Sequence, residues 1–170
     1  MLLENTVNDS PELTKISHIE FGSCELTIED ILLISQHGVC TKLSSNEDFK
    51  RKIQDGQNSL TNMLEKDGLI YGVTTGYGDS CTVGIPTEQV IELPLHLTRF
   101  HGCGLGKMLD SVSARGVIAT RLASLVKGYS GVSMELLERL VWLLNNNVLP
   151  LIPEEGSVGA SGDLTPLSYL

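Results

Sequence analysis

Residues 154–170 read "EEGSVGASGDLTPLSYL" and are the most unusual stretch of the chain. Three glycines, Gly156, Gly159 and Gly162, crowd a span with few polar side chains. Asp163 has a simple explanation, because aspartate is a preferred N-cap and "LTPLSYL" follows it. A cap does not explain the glycines, which let a backbone turn tightly or approach another group closely. The spacing therefore predicts a backbone that folds tightly on itself.

The composition describes a globular domain. The chain has 170 residues, of which 41% are hydrophobic and 19% charged, so it is long enough to bury a core. A net charge of −9 without a basic cluster argues against nucleic-acid partners, and no apolar run reaches membrane-spanning length. Residues 1–18 form a polar tail without the features of a signal peptide, which predicts a cytoplasmic protein. In that reducing setting we expect most of the four cysteines to be small buried residues.

Most of the chain follows a helical pattern, with a few short strands. "ISHIEFGSCELT" alternates weakly, as a strand does. Pro86 marks another helix start, and Pro94 should interrupt that helix. Gly56 lies inside a long helix, where glycine lowers stability. The strongest helix starts are at Thr27 (a capping box with Asp30), Asn46, Asp110 and Ser133.

A glycine-rich stretch, "LIYGVTTGYGDSCTVGIP" (residues 69–86), has no helical period. It predicts a short strand that leads into a loop. Tyr71 lies between the two. A phenol there is either a core aromatic with a satisfied hydroxyl or a catalytic base beside a mobile lid. Position alone does not choose between these roles.

Two other patterns predict no site. "GCGLGK" is similar to a phosphate-binding loop, but Met108 follows Lys107 where that loop needs Ser or Thr. His96 and His101 are five residues apart, so on a helix they do not share a face, and no acidic cluster accompanies them. We therefore predict no metal site.

Several motifs together resemble one family, the aromatic amino acid ammonia-lyases and the related 2,3-aminomutases. "GSVGASGDLTPLSYL" is similar to the family signature, and "YGVTTGYG" to its tyrosine loop, with Tyr77 where Phe is common. "HLTRFHGCGLG" resembles the substrate-selectivity segment, and "ARGVIATRLASLVKGYSGV" the helix after it. The resemblance covers roughly residues 20–170. It implies a mainly α fold, the N-terminal part of the fumarase/aspartase-like helical ammonia-lyase fold with a few short strands.

The resemblance also implies a chemistry without an external cofactor. The Gly162 nitrogen would attack the Ala160 carbonyl and Ser161 would lose its hydroxyl, giving 4-methylideneimidazol-5-one (MIO) with Asp163 assisting. Tyr71 would remove the substrate's β-proton. Phe100, His101 and Gly78 would bind the substrate. Phe100 is typical of phenylalanine-specific relatives and His101 of histidine-specific ones, so the substrate stays open between histidine and a larger aromatic amino acid.

The same resemblance implies a homotetrameric carbon–nitrogen lyase, of which residues 19–170 are an N-terminal domain truncated just after the Ala-Ser-Gly motif. We expect the 170-residue chain alone to be inactive, because the family's carboxylate-binding residues lie further along the chain. Two alternatives remain open: a 2,3-aminomutase, which uses the same residues, and a non-catalytic remnant of the family.

Overall fold

A computed structural model describes residues 18–36, 38–66, 68–158 and 163–170. Helices dominate this part of the chain, as the sequence predicts. In chain order the elements are β1 (His18–Phe21), α1 (Ile28–Ser35), β2 (Cys40–Leu43), α2 (Glu47–Glu65), a 3₁₀ helix (Gly78–Thr82), α3 (Thr87–Val90), α4 (Leu93–His101), β3 (Leu105–Met108), α5 (Ser111–Leu125), α6 (Met134–Asn145), β4 (Pro153–Glu155) and α7 (Leu164–Leu167). Of the predicted polar tail, only His18 lies inside the described residues, and it begins β1.

The predicted helix starts are confirmed by their caps. The Thr27 hydroxyl accepts a hydrogen bond from the Asp30 backbone N–H at 3.2 Å, and the Asp30 carboxylate accepts one from the Thr27 N–H at 2.9 Å. Asn46, Asp110 and Ser133 each accept a backbone N–H with their side chains. The first N–H groups of a helix have no partner inside the helix. Each cap therefore gives a hydrogen-bond partner to an N–H group that would otherwise lack one.

The core is built around α5, which packs against α1 on one side and α6 on the other. Aliphatic side chains supply most of it, as the low aromatic content predicts. Its largest fully buried side chains come from five elements: Phe21, Ile34, Ile53, Ile118, Leu122, Leu137 and Leu144. Leu136 of α6 is exposed and lies outside this core, whereas the half-buried Met134, Val141 and Leu143 pack against it.

Two helical glycines have a packing reason that the sequence did not reveal. A Cβ at Gly56 would lie 2.7 Å from the Gly128 carbonyl oxygen, so any side chain there would push α2 away from the turn after α5. A Cβ at Gly116 would lie 3.1 Å from the Ser35 hydroxyl, at the contact of α5 with α1. Close approach therefore offsets the cost of glycine inside these helices.

Arg115 is the largest buried polar side chain, with 2% of its surface exposed. Its Nε donates to the Ile34 carbonyl at 2.9 Å, and its Nη1 donates to the Leu144 carbonyl at 2.6 Å. Those carbonyls lie in the last turns of α1 and α6, where a helix favours a cation. Burial lowers the pKa of the Arg115 guanidinium. One side chain of α5 thus ties together the ends of its two neighbours.

Two small sheets flank the helices. β1 pairs in parallel with β2, which puts His18 opposite Cys40. β3 pairs antiparallel with β4, with Leu105 opposite Glu155 and Met108 opposite Pro153. The second sheet was not predicted, because residues 105–108 are all exposed and show no alternation. It joins the segment after α4 to the segment before residue 156.

Three further predictions, on Pro94, on the cysteines and on membrane-spanning segments, can be compared with the structure. α3 ends at Val90 and α4 begins at Leu93 with Pro94 in its first turn, so the predicted interruption is confirmed. All four cysteines are exposed, so the predicted burial of most of them is wrong; they lie just after β1, at the start of β2, in the 3₁₀ helix and between α4 and β3. Among the described helices, none combines the length and the apolar character needed to cross a membrane.

Candidate active site

The loop around Tyr71 is closed by its own backbone. The Gly76 N–H donates to the Val83 carbonyl at 3.1 Å and the Ile85 N–H to the Thr74 carbonyl at 2.8 Å, on either side of a bridge between Thr75 and Gly84. The strand predicted before the loop does not form. A turn takes its place. In this turn the Thr74 hydroxyl donates to the Gly68 carbonyl and accepts from the Ile70 N–H, and these hydrogen bonds compete with strand pairing.

Tyr71 is not a core residue, because 65% of its surface is exposed. Its hydroxyl oxygen accepts a hydrogen bond from the Gly78 N–H at 2.9 Å. The Tyr77 ring lies edge-on to it, with ring centroids 6.2 Å apart. Burial, and to a smaller extent Tyr71, raises the pKa of Tyr77. This exposure excludes the core role for Tyr71, and the role of catalytic base stays a prediction.

Glycines make this arrangement possible at two positions. Gly72 has φ of +72°, and a Cβ there would lie 2.8 Å from Cε1 of Tyr77. Gly78 has φ of +57° with open space around it, so glycine is needed there only for its backbone conformation. The turn at Gly78 directs its N–H at the Tyr71 hydroxyl.

Phe100 and His101 end helix α4. Their rings stand edge to face with centroids 5.2 Å apart. Phe100 is 79% exposed, whereas His101 is half-buried. Within the described residues, no hydrogen bond or ring contact joins Tyr71 to either of them. The structure therefore gives two separate groups of candidate residues, each ordered by its own local contacts.

The segment after α4 contacts both flanks of the Ala-Ser-Gly triplet. On the upstream side, β3 pairs with β4. On the downstream side, the Gly104 N–H donates to the Tyr169 hydroxyl at 2.9 Å, across 65 residues of sequence. Gly104 and Tyr169 were not singled out by the sequence analysis. The one sequence feature that points to this contact is Tyr169 itself, just after a short helix, because a half-buried phenol needs a hydrogen-bond partner for its hydroxyl.

The triplet itself, Ala160, Ser161 and Gly162, lies outside the described residues. Asp163 is described and occupies the predicted N-cap position of α7, but its side chain makes no capping hydrogen bond there. The physical reason is its backbone, which is helical (φ −102°, ψ −9°) instead of extended as in a side-chain cap. The predicted tight folding is supported at the edge of the triplet, where a Cβ at Gly156 would lie 2.6 Å from Cγ2 of Thr165.

Two clefts lie elsewhere in the described part of the chain. One, of about 710 Å³, is lined by the end of β2 and the first turns of α2. The other, of about 920 Å³, lies beside Cys24 and Tyr129. Within the described part of the chain, no three His, Cys, Asp or Glu side chains are grouped to hold a metal ion. Of the site residues suggested by the sequence, Tyr71, Gly78 and Phe100 are exposed and lie outside both clefts.

The family of this chain follows from comparison with known proteins. The family model described as "Aromatic amino acid lyase" matches residues 26–170. The histidine ammonia-lyase of Streptococcus gordonii is 38% identical over 145 residues, which cover 85% of this chain and 28% of that protein. This chain thus spans little more than a quarter of the length of the relatives that it matches.

Solved structures show the same fold. The tyrosine aminomutase from Streptomyces globisporus superimposes with a TM-score of 0.79 and 32% identity, over 89% of this chain and 28% of that one. The histidine ammonia-lyase from Trypanosoma cruzi gives a TM-score of 0.74 and 28% identity, over 90% of this chain and 29% of that one. The mainly helical fold class is confirmed, and the chain belongs to the aromatic amino acid lyase family.

Proposed function

We propose that this chain is the electrophile-bearing part of an aromatic amino acid ammonia-lyase, which eliminates ammonia from histidine or another aromatic amino acid to give the α,β-unsaturated acid. The observation that carries the proposal is the junction at Gly104. There the segment that resembles the selectivity segment is joined to both flanks of the triplet, through β4 and through Tyr169. A family match over residues 26–170 supports the same conclusion.

The residues fit the MIO group by type and by their surroundings. The close contact of Gly156 with Thr165 brings the two flanks together, as a triplet that must cyclise requires. In the cyclisation the Gly162 nitrogen bonds to the Ala160 carbonyl carbon. That carbonyl oxygen leaves as water with the amide protons of Ser161 and Gly162. The Ser161 hydroxyl and Hα leave as a second water, which creates the exposed methylene.

Each remaining residue has a role in this proposal. When formed, the MIO group supplies an electrophile that activates the substrate's amino group for departure. Tyr71, once its own proton has gone to solvent, accepts the β-proton at the phenolic oxygen, which the Gly78 N–H holds in place. Asp163 assists the cyclisation. Gly78 lies in the loop that contacts the substrate and, with the rest of that loop, excludes water.

Substrate choice is assigned to Phe100 and His101 at the end of α4. An imidazole beside an aromatic ring can hydrogen-bond or stack with an aromatic side chain of the substrate. The relative from Streptococcus gordonii is a histidine ammonia-lyase, which favours histidine. The exposure of Phe100 indicates that further residues of a longer protein complete this pocket.

One alternative has a specific observation in its favour. The structure from Streptomyces globisporus, at 32% identity, is a tyrosine aminomutase. An aminomutase would return the amine to the β-carbon. Product analysis distinguishes the two, since a lyase releases the α,β-unsaturated acid and a mutase the β-amino acid. A longer protein that carries this chain is the sample for that assay, and we expect it to be a cytoplasmic homotetramer.

Intact mass tests the proposal on the chain itself. We expect the purified chain to lack the mass of two waters, localised to the peptide 154–170, and the Ser161→Ala variant to retain both. Ser157→Ala is a matched control that should still lose two waters. An uncyclised triplet in a folded protein of full length would contradict the lyase and favour a non-catalytic remnant. We also expect no deamination by the 170-residue chain alone, and robust turnover by it would overturn that expectation.

A further inference from the structure

The position of the Tyr71 phenol is set by its own loop. Since 65% of the Tyr71 surface is exposed, burial in the core does not fix this side chain. Its hydroxyl oxygen accepts a hydrogen bond from the Gly78 N–H at 2.9 Å. A single bond at the tip of a side chain fixes the phenol only if the backbone that carries the side chain is held as well. Two threonine hydroxyls hold that backbone, one on each side of Tyr71.

On the upstream side, the hydroxyl is that of Thr74. It accepts from the Ile70 N–H at 2.8 Å and donates to the Gly68 carbonyl at 2.9 Å. The Ile70 carbonyl in turn accepts from the Val73 N–H at 3.0 Å and from the Thr74 N–H at 2.9 Å. The residue before Tyr71 is therefore bonded through both its N–H and its carbonyl.

On the downstream side, the hydroxyl is that of Thr75. It accepts from the Gly72 N–H at 3.2 Å and donates to the Gly76 carbonyl at 3.0 Å. Thr75 is 4% exposed, and among residues 69–86, all of which the structure describes, it alone is buried. A buried hydroxyl needs hydrogen-bond partners, and this hydroxyl uses its donor and an acceptor position on the loop backbone.

These bonds form a closed ring of contacts with Tyr71. Gly72 follows Tyr71 directly, and the Thr75 hydroxyl joins Gly72 to Gly76. Gly76 lies two residues before Gly78, whose N–H returns to the Tyr71 hydroxyl oxygen. Thr75 therefore connects the backbone that carries the phenol to the backbone that holds its oxygen.

We propose that Thr75 is a positioning residue for Tyr71 as the base of the reaction. This inference rests on the proposed function. A base must lie within hydrogen-bond reach of the proton that it accepts, and a misplacement of about 1 Å can lower a rate by roughly 100-fold. By joining Gly72 to Gly76, the Thr75 hydroxyl limits the positions that the phenol can take. Thr75 itself takes no part in the proton transfer.

Two substitutions at Thr75 separate its hydroxyl from its packing. Thr75→Val keeps the shape of the side chain and removes the hydroxyl, whereas Thr75→Ser keeps the hydroxyl and removes the methyl group. A residue that only fills space tolerates Val better than Ser, and a residue that acts through its hydroxyl tolerates Ser better. Thr61→Val is the matched control, because Thr61 is exposed on α2 and its hydroxyl also donates to a backbone carbonyl, that of Gln57, at 3.2 Å.

Hydrogen exchange of single amides, read by NMR on the 170-residue chain, tests the contacts. We expect Thr75→Val to speed exchange at the Gly72 and Gly78 amides by about 2- to 10-fold, as the loss of a hydrogen bond predicts. Thr75→Ser and Thr61→Val should exchange as the wild type does. Unchanged exchange in Thr75→Val would overturn the inference, and so would an effect of Thr75→Ser as large as that of Thr75→Val.

Steady-state kinetics of a longer protein that carries this chain test the positioning role. With histidine, phenylalanine and tyrosine as substrates, Thr75→Val should lower kcat by roughly 10- to 100-fold and leave KM nearly unchanged, because the base is misplaced while substrate binding is kept. Thr75→Ser should restore most of kcat, and Thr61→Val should match the wild type. Faster exchange in Thr75→Val with the kcat of the wild type would overturn the inference, because Thr75 would then serve the loop alone.

The wild type separates this inference from the proposed function. If the longer wild-type protein turns over none of the three amino acids, the proposed function fails, and the positioning role of Thr75 fails with it. If the wild type is active and only the Thr75 variants disagree, the proposed function stands and the inference alone is rejected. Far-UV circular dichroism of each variant excludes unfolding as the reason for a lower kcat.

Discussion

Asn145 pairs its side-chain amide with the backbone of Thr41 as a neighbouring strand would. The Thr41 N–H donates to Oδ1 of Asn145 at 2.9 Å, and Nδ2 of Asn145 donates to the Thr41 carbonyl at 2.8 Å. The Thr41 hydroxyl donates to the same Oδ1 at 3.0 Å. The last residue of α6 thus satisfies the open edge of β2, and joins parts of the chain 104 residues apart.

Asn145→Ala should lower the free energy of unfolding by about 2–4 kcal/mol, because it leaves the buried Thr41 N–H and carbonyl without partners. Asn145→Asp should cost a similar amount at neutral pH, since a carboxylate cannot donate to the Thr41 carbonyl. Acid should reduce that penalty as the carboxyl regains a proton. Urea denaturation measures each value. Asn146→Ala, at an exposed neighbour, is the control, and an equal loss there would contradict this account.

Arg115→Met should destabilise the fold by roughly 2–5 kcal/mol, because the Ile34 and Leu144 carbonyls both lose the guanidinium donor in a buried place, and the Leu144 carbonyl keeps the longer bond from the Asn147 N–H at 3.3 Å. Arg115→Lys should give an intermediate loss, since one ammonium replaces a planar group that reaches both carbonyls. The matched control is Arg139→Met, whose surface ion pair with Glu135 should be worth less than about 1 kcal/mol. Urea midpoints that do not differ between Arg115→Met and Arg139→Met would contradict the prediction.

Local sequence signals predicted the helices because the interactions that start a helix span three residues. Thr27 with Asp30, and Asp110 with the N–H of Ser113, can be recognised within one turn. The β3–β4 pair could not be found in this way. Residues 105–108 and 153–155 are far apart in sequence, all of them except Pro153 are exposed, and neither stretch alternates, so only the tertiary fold brings them together.

The sequence predicted less of the candidate site than of the helices. Family resemblance named Tyr71, Phe100 and the triplet, but only the structure shows that Tyr71 is exposed and bonded to Gly78. Asp163 occupies the predicted N-cap position but its side chain makes no capping hydrogen bond, because that bond depends on backbone angles that residue type does not fix. Tyr169 was missed since its partner, Gly104, is a backbone amide with no signature in the sequence.

Acid should weaken the cap at the start of α5. The Ser113 backbone N–H donates to the Asp110 carboxylate at 2.7 Å and lowers the pKa of that carboxyl. The lowered pKa adds stability above the ordinary range of aspartate, about pH 4, and this contribution is lost as the pH falls through the folded-state value. Asp110→Asn caps without titrating.

The advantage of wild type over Asp110→Asn should therefore shrink between neutral pH and about pH 3, as measured by urea midpoints. Asp79→Asn, on the exposed 3₁₀ helix, should follow the acid dependence of wild type. A wild-type advantage that stays constant over this pH range would be evidence against the cap as a source of pH dependence.

Gly78→Ala should loosen the Tyr71 loop. A non-glycine residue at φ of +57° costs about 1–2 kcal/mol, which corresponds to roughly 5- to 30-fold more frequent local opening. Hydrogen exchange of the amides in residues 68–85 measures that opening. Gly84→Ala is the matched control, because a Cβ there also meets open space but Gly84 does not have a positive φ. Equal exchange in the two variants would show that the turn at Gly78 does not restrain Tyr71.

Gly156→Ala should disturb the contact between the two flanks of the triplet more than any other change of one methyl group in this segment. The new Cβ would lie 2.6 Å from Cγ2 of buried Thr165, and overpacking of this kind costs about 1–3 kcal/mol. Thr165→Ser removes that Cγ2. The double variant should therefore recover part of the loss, and a double-mutant cycle in urea should give a favourable coupling of at least about 0.5 kcal/mol. Additive effects in the cycle would mean that Gly156 and Thr165 are not in contact.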